Sequence, residues 1–482
     1  MQCASGRGCF WTKENSHEIE TGEEGAFKRW RLRIMSEGKK AGMITGNPAK
    51  SLIIFAVPLI LGNLLQQFYN MADSIIVGQF VGEDALAAIG ASYSLTTVFV
   101  MIAIGGGIGA SVITAQYFGA KEYSQVRISI HTALFTFLGV SLVLAVIGLF
   151  ANRTILILLN TPDNVLDSAV LYLNIYFLGL PFLFMYNILT SIFNAHGESR
   201  IPLYLLIFSS VTNVILDLAA VAVWNLGVGG AAAATVFAQG LSAVILFALL
   251  LRKLKRLGRE RVSFYDRKIL GKIVKVAVPS IIQQSIVSIG MLLVQSVVNG
   301  FGSSVLAGYS AGTRIESICI VPMIAMGNAI STFTAQNIGA GKPKRVKQGY
   351  RAGYAIIFAF AALIAVILLC FKSPIISSFV DAEDGRLAYE TGTSYLSFIA
   401  WFFALIGLKA LTDGVLRGAG DVVVFTLANL CNLAVRVFVA FRFAPVWGVE
   451  AVWIAVPMGW TANYVISFIR YLSGAWSRKK AI

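Results

Sequence analysis

Two aspartates sit inside otherwise apolar stretches, each with polar neighbours at helical spacing. Asp73 follows Gln66, Tyr69 and Asn70 by seven, four and three residues, which stacks the four on one helical face. Asp217 follows Asn213 and Ser209 at successive four-residue steps, giving a second polar stripe. An ionised carboxylate in hydrocarbon costs at least ~2.5–3.5 kcal/mol on insertion scales, so such groups persist where they line a cavity or do work. Each aspartate alone could simply hold two helices together by a hydrogen bond; two in one half of the chain weigh against that. Two carboxylates facing a common cavity would repel each other as well as lack water, and would take up a proton or a sodium ion readily. The chemistry these residues can do is reversible ion binding, provided the segments that carry them meet.

The elements that must position them are membrane helices. Of the 482 residues 57% are hydrophobic and only 13% charged, and the mean hydropathy is +0.75, so most of the chain is dissolved in lipid. Crossing about 30 Å of hydrocarbon takes roughly 20 apolar residues, and twelve such runs are present, centred from near Asn63 to near Val456. The chain is also duplicated. Val57 and Pro58 reappear as Val278 and Pro279, 221 positions on, and Ala115–Ala120 returns as Ala335–Ala340, 220 positions on. Duplicated membrane halves are chiefly a transporter trait. Six spans per half means both halves enter the membrane from the same side, so the repeats are parallel. The expected fold is an all-α membrane protein of twelve transmembrane helices in two parallel six-helix repeats. Its first lobe is 43–251, a basic linker 252–274, a second lobe 275–474 and a tail 475–482, after a polar, disordered tail 1–42.

The net charge of +15 suggests nucleic acid until the basic residues are sorted by loop. Lys121 and Arg127, Arg200, the cluster Arg252–Lys275, the cluster Lys342–Arg351, Arg417 and Arg478–Lys480 fall on alternate loops. The opposite loops offer Arg153, Lys372 and Arg386 beside Glu83, Asp84, Asp163, Asp167, Asp381, Glu383 and Asp384. That asymmetry places the basic loops and both termini in the cytoplasm, in a bacterial-type inner membrane, with anionic lipid rather than nucleic acid as neighbour. The five cysteines and three histidines show neither disulfide nor metal spacing. Gly105, Gly106, Gly107 and Gly109 lie in an apolar span with no preceding strand, so close helix packing explains them better than a nucleotide loop. Gly339-Ala340-Gly341-Lys342 is followed by Pro343 where a phosphate loop needs Ser or Thr. No HExxH or Gly-x-Ser-x-Gly motif supports an enzyme. Pro58, Pro181, Pro279, Pro322 and Pro457 are expected to kink their spans, Pro58 most usefully because the Asp73 face follows it.

The runs Pro58, Gln66-Gln67-Phe68-Tyr69-Asn70-Met71-Ala72-Asp73, Asn213-Val214-Ile215-Leu216-Asp217 and Gly230-Ala231-Ala232-Ala233-Ala234-Thr235, with Leu416-Arg417-Gly418-Ala419-Gly420-Asp421 later, resemble the multidrug and toxic compound extrusion (MATE) family over residues 45 to 475. The resemblance implies two six-helix lobes in a V. It implies a monomeric secondary antiporter, without cofactor, that exports small organic cations in exchange for H+ or Na+. In the branch with an amino-terminal-lobe ion site, the resemblance assigns that site to Asp73, Asn213, Asp217 and Thr235, which would also hold Na+, with Gln66, Tyr69, Asn70 and Ser209 beside it. Another branch places an acid early in the seventh helix, where this chain has Gln283, Gln284 and Ser285 after Pro279. Cations stand in the second half instead. Aligning Asn213 with Asn432 makes Arg436 the mate of Asp217; Arg436, Lys409 and Asp413 are read as lobe-bracing ion pairs, and Arg314 with Glu316 as a similar pair. The other reading is a flippase for lipid-linked oligosaccharides, which would want a strongly cationic cavity and often extra spans.

Overall fold

The computed structural model describes residues 42–258, 262–380, 385–479 and 482; the expected tail up to residue 41, the acids Asp381, Glu383 and Asp384 and part of the basic linker lie outside them. The described residues form twelve helices long and apolar enough to span a membrane, and no strands. They are α1 Pro48–Phe80, α2 Glu83–Gly119, α3 Tyr123–Leu158, α4 Asp163–Ala195, α5 Arg200–Val223, α6 Gly227–Leu257, α7 Arg267–Asn299, α8 Ser303–Gly339, α9 Pro343–Ser377, α10 Arg386–Ala419, α11 Val422–Trp447 and α12 Glu450–Leu472.

The duplication extends to local chain punctuation. Asn47 caps α1, its side chain accepting from the Ala49 and Lys50 amides, with Pro48 in the first turn; Asp266 caps α7 through the Lys268 and Ile269 amides. The turns repeat too: Gly82 and Gly302 have φ of 109° and 92°, and Gly197 and Gly420 have φ of 80° and 83°. Before α4 the shift between halves is 219 to 221, but at Gly197 and Gly420 it is 223.

The first helix of each half begins in the other half's core. Met43, Leu52, Phe55 and Ala56 pack into one cluster with residues of α8 to α12, whereas Ile76 and Val77, beyond Pro58, pack with Val221, Val228 and Ala231. Its repeat mate does the same: Ile269, Ile273, Val276 and Ala277 of α7 pack with α2 to α4, and Val294 and Val298, beyond Pro279, pack in the second half. The two crossings coincide with the two prolines, whose missing N–H interrupts the helical ladder. The glycine run of α2 permits this crossing. A Cβ at Gly105 would lie 2.7 Å from the Ile281 backbone and one at Gly109 2.6 Å from Ala277, both on α7, while Gly106 faces Phe137 of α3. Close packing is what those glycines serve.

The halves are pinned together at the end that carries the basic loops. Gln116 Nε2 donates to the Gly418 carbonyl at 2.9 Å, and its repeat mate Gln336 donates to the Ala195 carbonyl at 2.7 Å. Gly119 and Gly339 lie directly on the Gln336 and Gln116 carbonyls, with no room for a Cβ. Arg345 holds the carbonyls of Met43, Thr45 and Gly46, and Asn337 also donates to Met43.

At the same end, fully buried Asp421 accepts from Arg470 at 2.6 Å and Lys479 at 2.9 Å. Burial would push its carboxyl up, but the hydrogen bonds and charges of Arg470 and Lys479 hold it below the usual range. A depressed carboxyl stabilises the fold above the unfolded-chain value of ~3.9 and loses that contribution as pH falls through its lower folded value. Asp421→Asn is therefore expected to cost about 1–3 kcal/mol at neutral pH, discounted because both cations are partly exposed. Thermal unfolding in detergent should show the deficit near neutrality and its disappearance in strong acid; an equal deficit at both would contradict the assignment.

Candidate functional site

Asp73 reaches the site from α1 and Asp217 from the last α-helical turn of α5, where the helix widens into a π turn over Leu218–Val223. Such single-turn widenings recur at functional positions. The two carboxyls are near enough to interact electrostatically. Asp217 is 0% exposed, neither of its oxygens nor Asp73 Oδ1 has a donor elsewhere among the described residues, and neither acid is in an ion pair among them. Among the described residues no cation pairs with either acid, so a proton or small cation is what can balance any charge there.

Asn213 and Thr235 complete the pocket. Asn213, 1% exposed, donates to Thr235 Oγ1 at 3.2 Å from one turn before Asp217, while its Oδ1 is buried with no partner among the described residues. That leaves amide, hydroxyl and carboxylate oxygens converging from α1, α5 and α6, a donor set that suits a proton or Na+. Tyr69 lies near both acids and Thr235. Gln66 and Asn70 are exposed on α1, and no hydrogen bond links their side chains to the carboxyls among the described residues; Ser209 is buried on the Asn213 face, two turns before Asp217.

Two residues escaped the sequence reading. Tyr172 of α4 lies within electrostatic reach of both acids, and Tyr176 neighbours Tyr172 and Tyr69 with its hydroxyl buried and without a hydrogen-bond partner among the described residues. Their four-residue spacing in the fourth span was the available signal.

The second half departs from expectation in three places. Lys409 and Asp413 do pair, at 3.2 Å, and Asp413 also accepts from Ser467 and Asn429, tying α10 to α11 and α12. Arg436 takes no part in that brace, and it forms no ion pair among the described residues. It sits two helical turns, about 10 Å, along α11 from Asn429. Glu316 pairs not with Arg314 but with the Tyr395 hydroxyl, which donates to it. Finally, the 223-residue shift at the Gly197/Gly420 turn, both with positive φ, aligns Arg436 with Asn213 rather than with Asp217, while past α5 the positive-φ glycines Gly227 and Gly448 stand 221 apart.

Comparison with known proteins returns the same duplication. The MatE family model matches twice, over residues 58–219 and 279–441, once per half. The probable multidrug resistance proteins YpnP and YoeA of Bacillus subtilis are each 30% identical to this chain, covering 90% and 89% of it and 97% and 95% of their own lengths. A crystal structure of MATE in complex with MaL6 superposes with a TM-score of 0.85 at 22% identity, over 91% of this chain and 99% of that one.

Proposed function

The chain belongs to the MatE family of multidrug efflux transporters, and from that premise we propose that it is a secondary antiporter, exporting organic cations in exchange for H+ or Na+ by alternating access. The observation that carries the reading is the Asp73–Asp217 pair, two neighbouring carboxyls with no ion-pair partner among the described residues. With both acids ionised and empty, the site attracts a cationic cargo to the first lobe. Ion entry neutralises the pair and removes that attraction, so cargo and ion exclude each other. An ~150 mV potential supplies roughly 3.5 kcal/mol per inward charge. One-for-one export of a monovalent cation is electroneutral and must run on the ion's concentration gradient alone.

The lobes of this reading are 43–251 and 275–474, joined by 252–274. The basic end faces the cytoplasm, following the charge asymmetry of the loops. The crossed glutamines then seal the cytoplasmic side, and the cargo path opens outward. An acidic first-lobe site weighs against the oligosaccharide flippase, whose diphosphate cargo would need cations there.

The test is efflux from proteoliposomes loaded with a fluorescent cation such as ethidium, with a pH gradient and a sodium gradient imposed separately. Export is expected with one gradient and not without either. Equal dye movement with no gradient would refute antiport, and turnover of a lipid-linked sugar with no dye movement would favour the flippase.

A further inference from the structure

The linker between the halves folds back onto the first one. The Asp266 amide donates to Thr132 Oγ1 of α3 at 3.1 Å, and the Phe264 ring packs edge-on against His131 and Phe135 with centroids 5.2 and 6.4 Å away. The next residue, Tyr265, lines a groove of about 470 Å³ that runs along α3 past Thr136, Gly139, Val140, Val143 and Leu144. An added Cβ at Gly139 would meet nothing within 4 Å, so the missing side chain leaves open space there.

The groove lies at the depth of a lipid. Arg127 and His131 are polar, but residues 133–151 carry no charge. At 1.5 Å per residue that run covers roughly 28 Å, the thickness of the hydrocarbon. Thr132 and the aromatic residues laid against it therefore mark the membrane boundary at the basic end, the level at which tyrosine rings settle. From Thr136 the groove enters the hydrocarbon for about 12 Å, to Leu144. Phe135, Val140 and Val143 are exposed along it, so its walls meet acyl chains. Thr136 Oγ1, at its shallow end, is shielded from solvent and has no hydrogen-bond partner among the described residues.

Charge selects the occupant. Segment 252–275 holds ten basic residues against Glu260 and Asp266, and Asp266 is engaged in capping α7. Arg267 and Lys268 follow Tyr265 within three positions, are exposed, and form no ion pair among the described residues. The linker occurs once per chain, so α9, which repeats α3 at a shift of 220, gains no such strap.

We propose that this groove is a binding site for one anionic phospholipid. An acyl chain lies over Gly139, Thr136 donates to an ester carbonyl, and Arg267 and Lys268 take the phosphate. A zwitterionic lipid fits the same groove but gains less from the two cations.

The experiment titrates delipidated protein in detergent with phosphatidylglycerol or phosphatidylcholine of identical chains and reads the first bound lipid by native mass spectrometry. Wild type is expected to bind phosphatidylglycerol roughly tenfold more tightly or better, as two surface cations on one phosphate imply. Arg267→Gln with Lys268→Gln should bring the two lipids level while leaving phosphatidylcholine binding unchanged. Gly139→Leu fills the groove and should weaken both lipids severalfold; it adds its side chain to open space, so the fold is retained. Ala359→Leu, the same change at the repeat mate of Gly139 on the exposed face of α9, should change neither. A wild type that holds both lipids alike, an undiminished preference in the Arg267→Gln, Lys268→Gln variant, or equal losses in Gly139→Leu and Ala359→Leu would each overturn the site.

Discussion

Asp217→Asn is expected to abolish gradient-driven export while leaving the protein folded. The amide keeps the shape of the side chain and loses the only feature the coupling uses, a charge that an ion can cancel. Asp217 is fully buried, neighbours Asp73 and forms no ion pair among the described residues. Removing a charged hydrogen-bond partner costs about 1.5–3 kcal/mol, which corresponds to ~10–150-fold weaker ion binding. Asp73→Asn should act in the same direction. The double variant should be little worse than either single one, because the two residues share one ion and their effects are not additive. Ion-gradient-driven efflux in proteoliposomes gives the first readout. Cargo exchange without a gradient gives the second, and it should survive better, since exchange needs no net ion turnover. Full gradient-driven export by both variants would remove the aspartate pair from the mechanism.

The second large effect is expected at the crossing of the halves. Gly119→Val places a side chain where the Gln336 carbonyl lies, and Gly339→Val does the same against Gln116. Overpacking of this kind costs about 1–3 kcal/mol. That cost falls only on the arrangement closed at the basic end, so the closed population should drop by ~5–150-fold. Spin labels at Lys121 and Lys344, one on each half, should report a longer distance in both variants, with export reduced. The two substitutions should match each other, because the arrangement they disturb is itself duplicated, with Gln116 donating to Gly418 and Gln336 to Ala195. Unchanged label distances in both would show that the crossing does not set the conformational balance.

The sequence alone determined the twelve spans, the two parallel halves and the polar faces around Asp73 and Asp217, since hydropathy, repeated text and helical period are local properties of the chain. It also placed the glycine run of α2 in helix packing. Whether α1 and α5 meet was not legible, because contacts between distant helices are set by packing, and a span apolar all round does not say which face packs. The same reason hid Tyr172 and Tyr176, which join the acids from a third helix, and the start of α1 in the other half's core. Register failed for a simpler cause. Extra residues between the halves' third and fourth helices move the repeat shift from 220 to 223, so aligning Asn213 with Asn432 slipped Arg436 by about one turn. The positive-φ turn before α5 and α11 gives that register, and only the folded bundle shows Arg436 within electrostatic reach of Glu316 rather than in the Lys409–Asp413 brace.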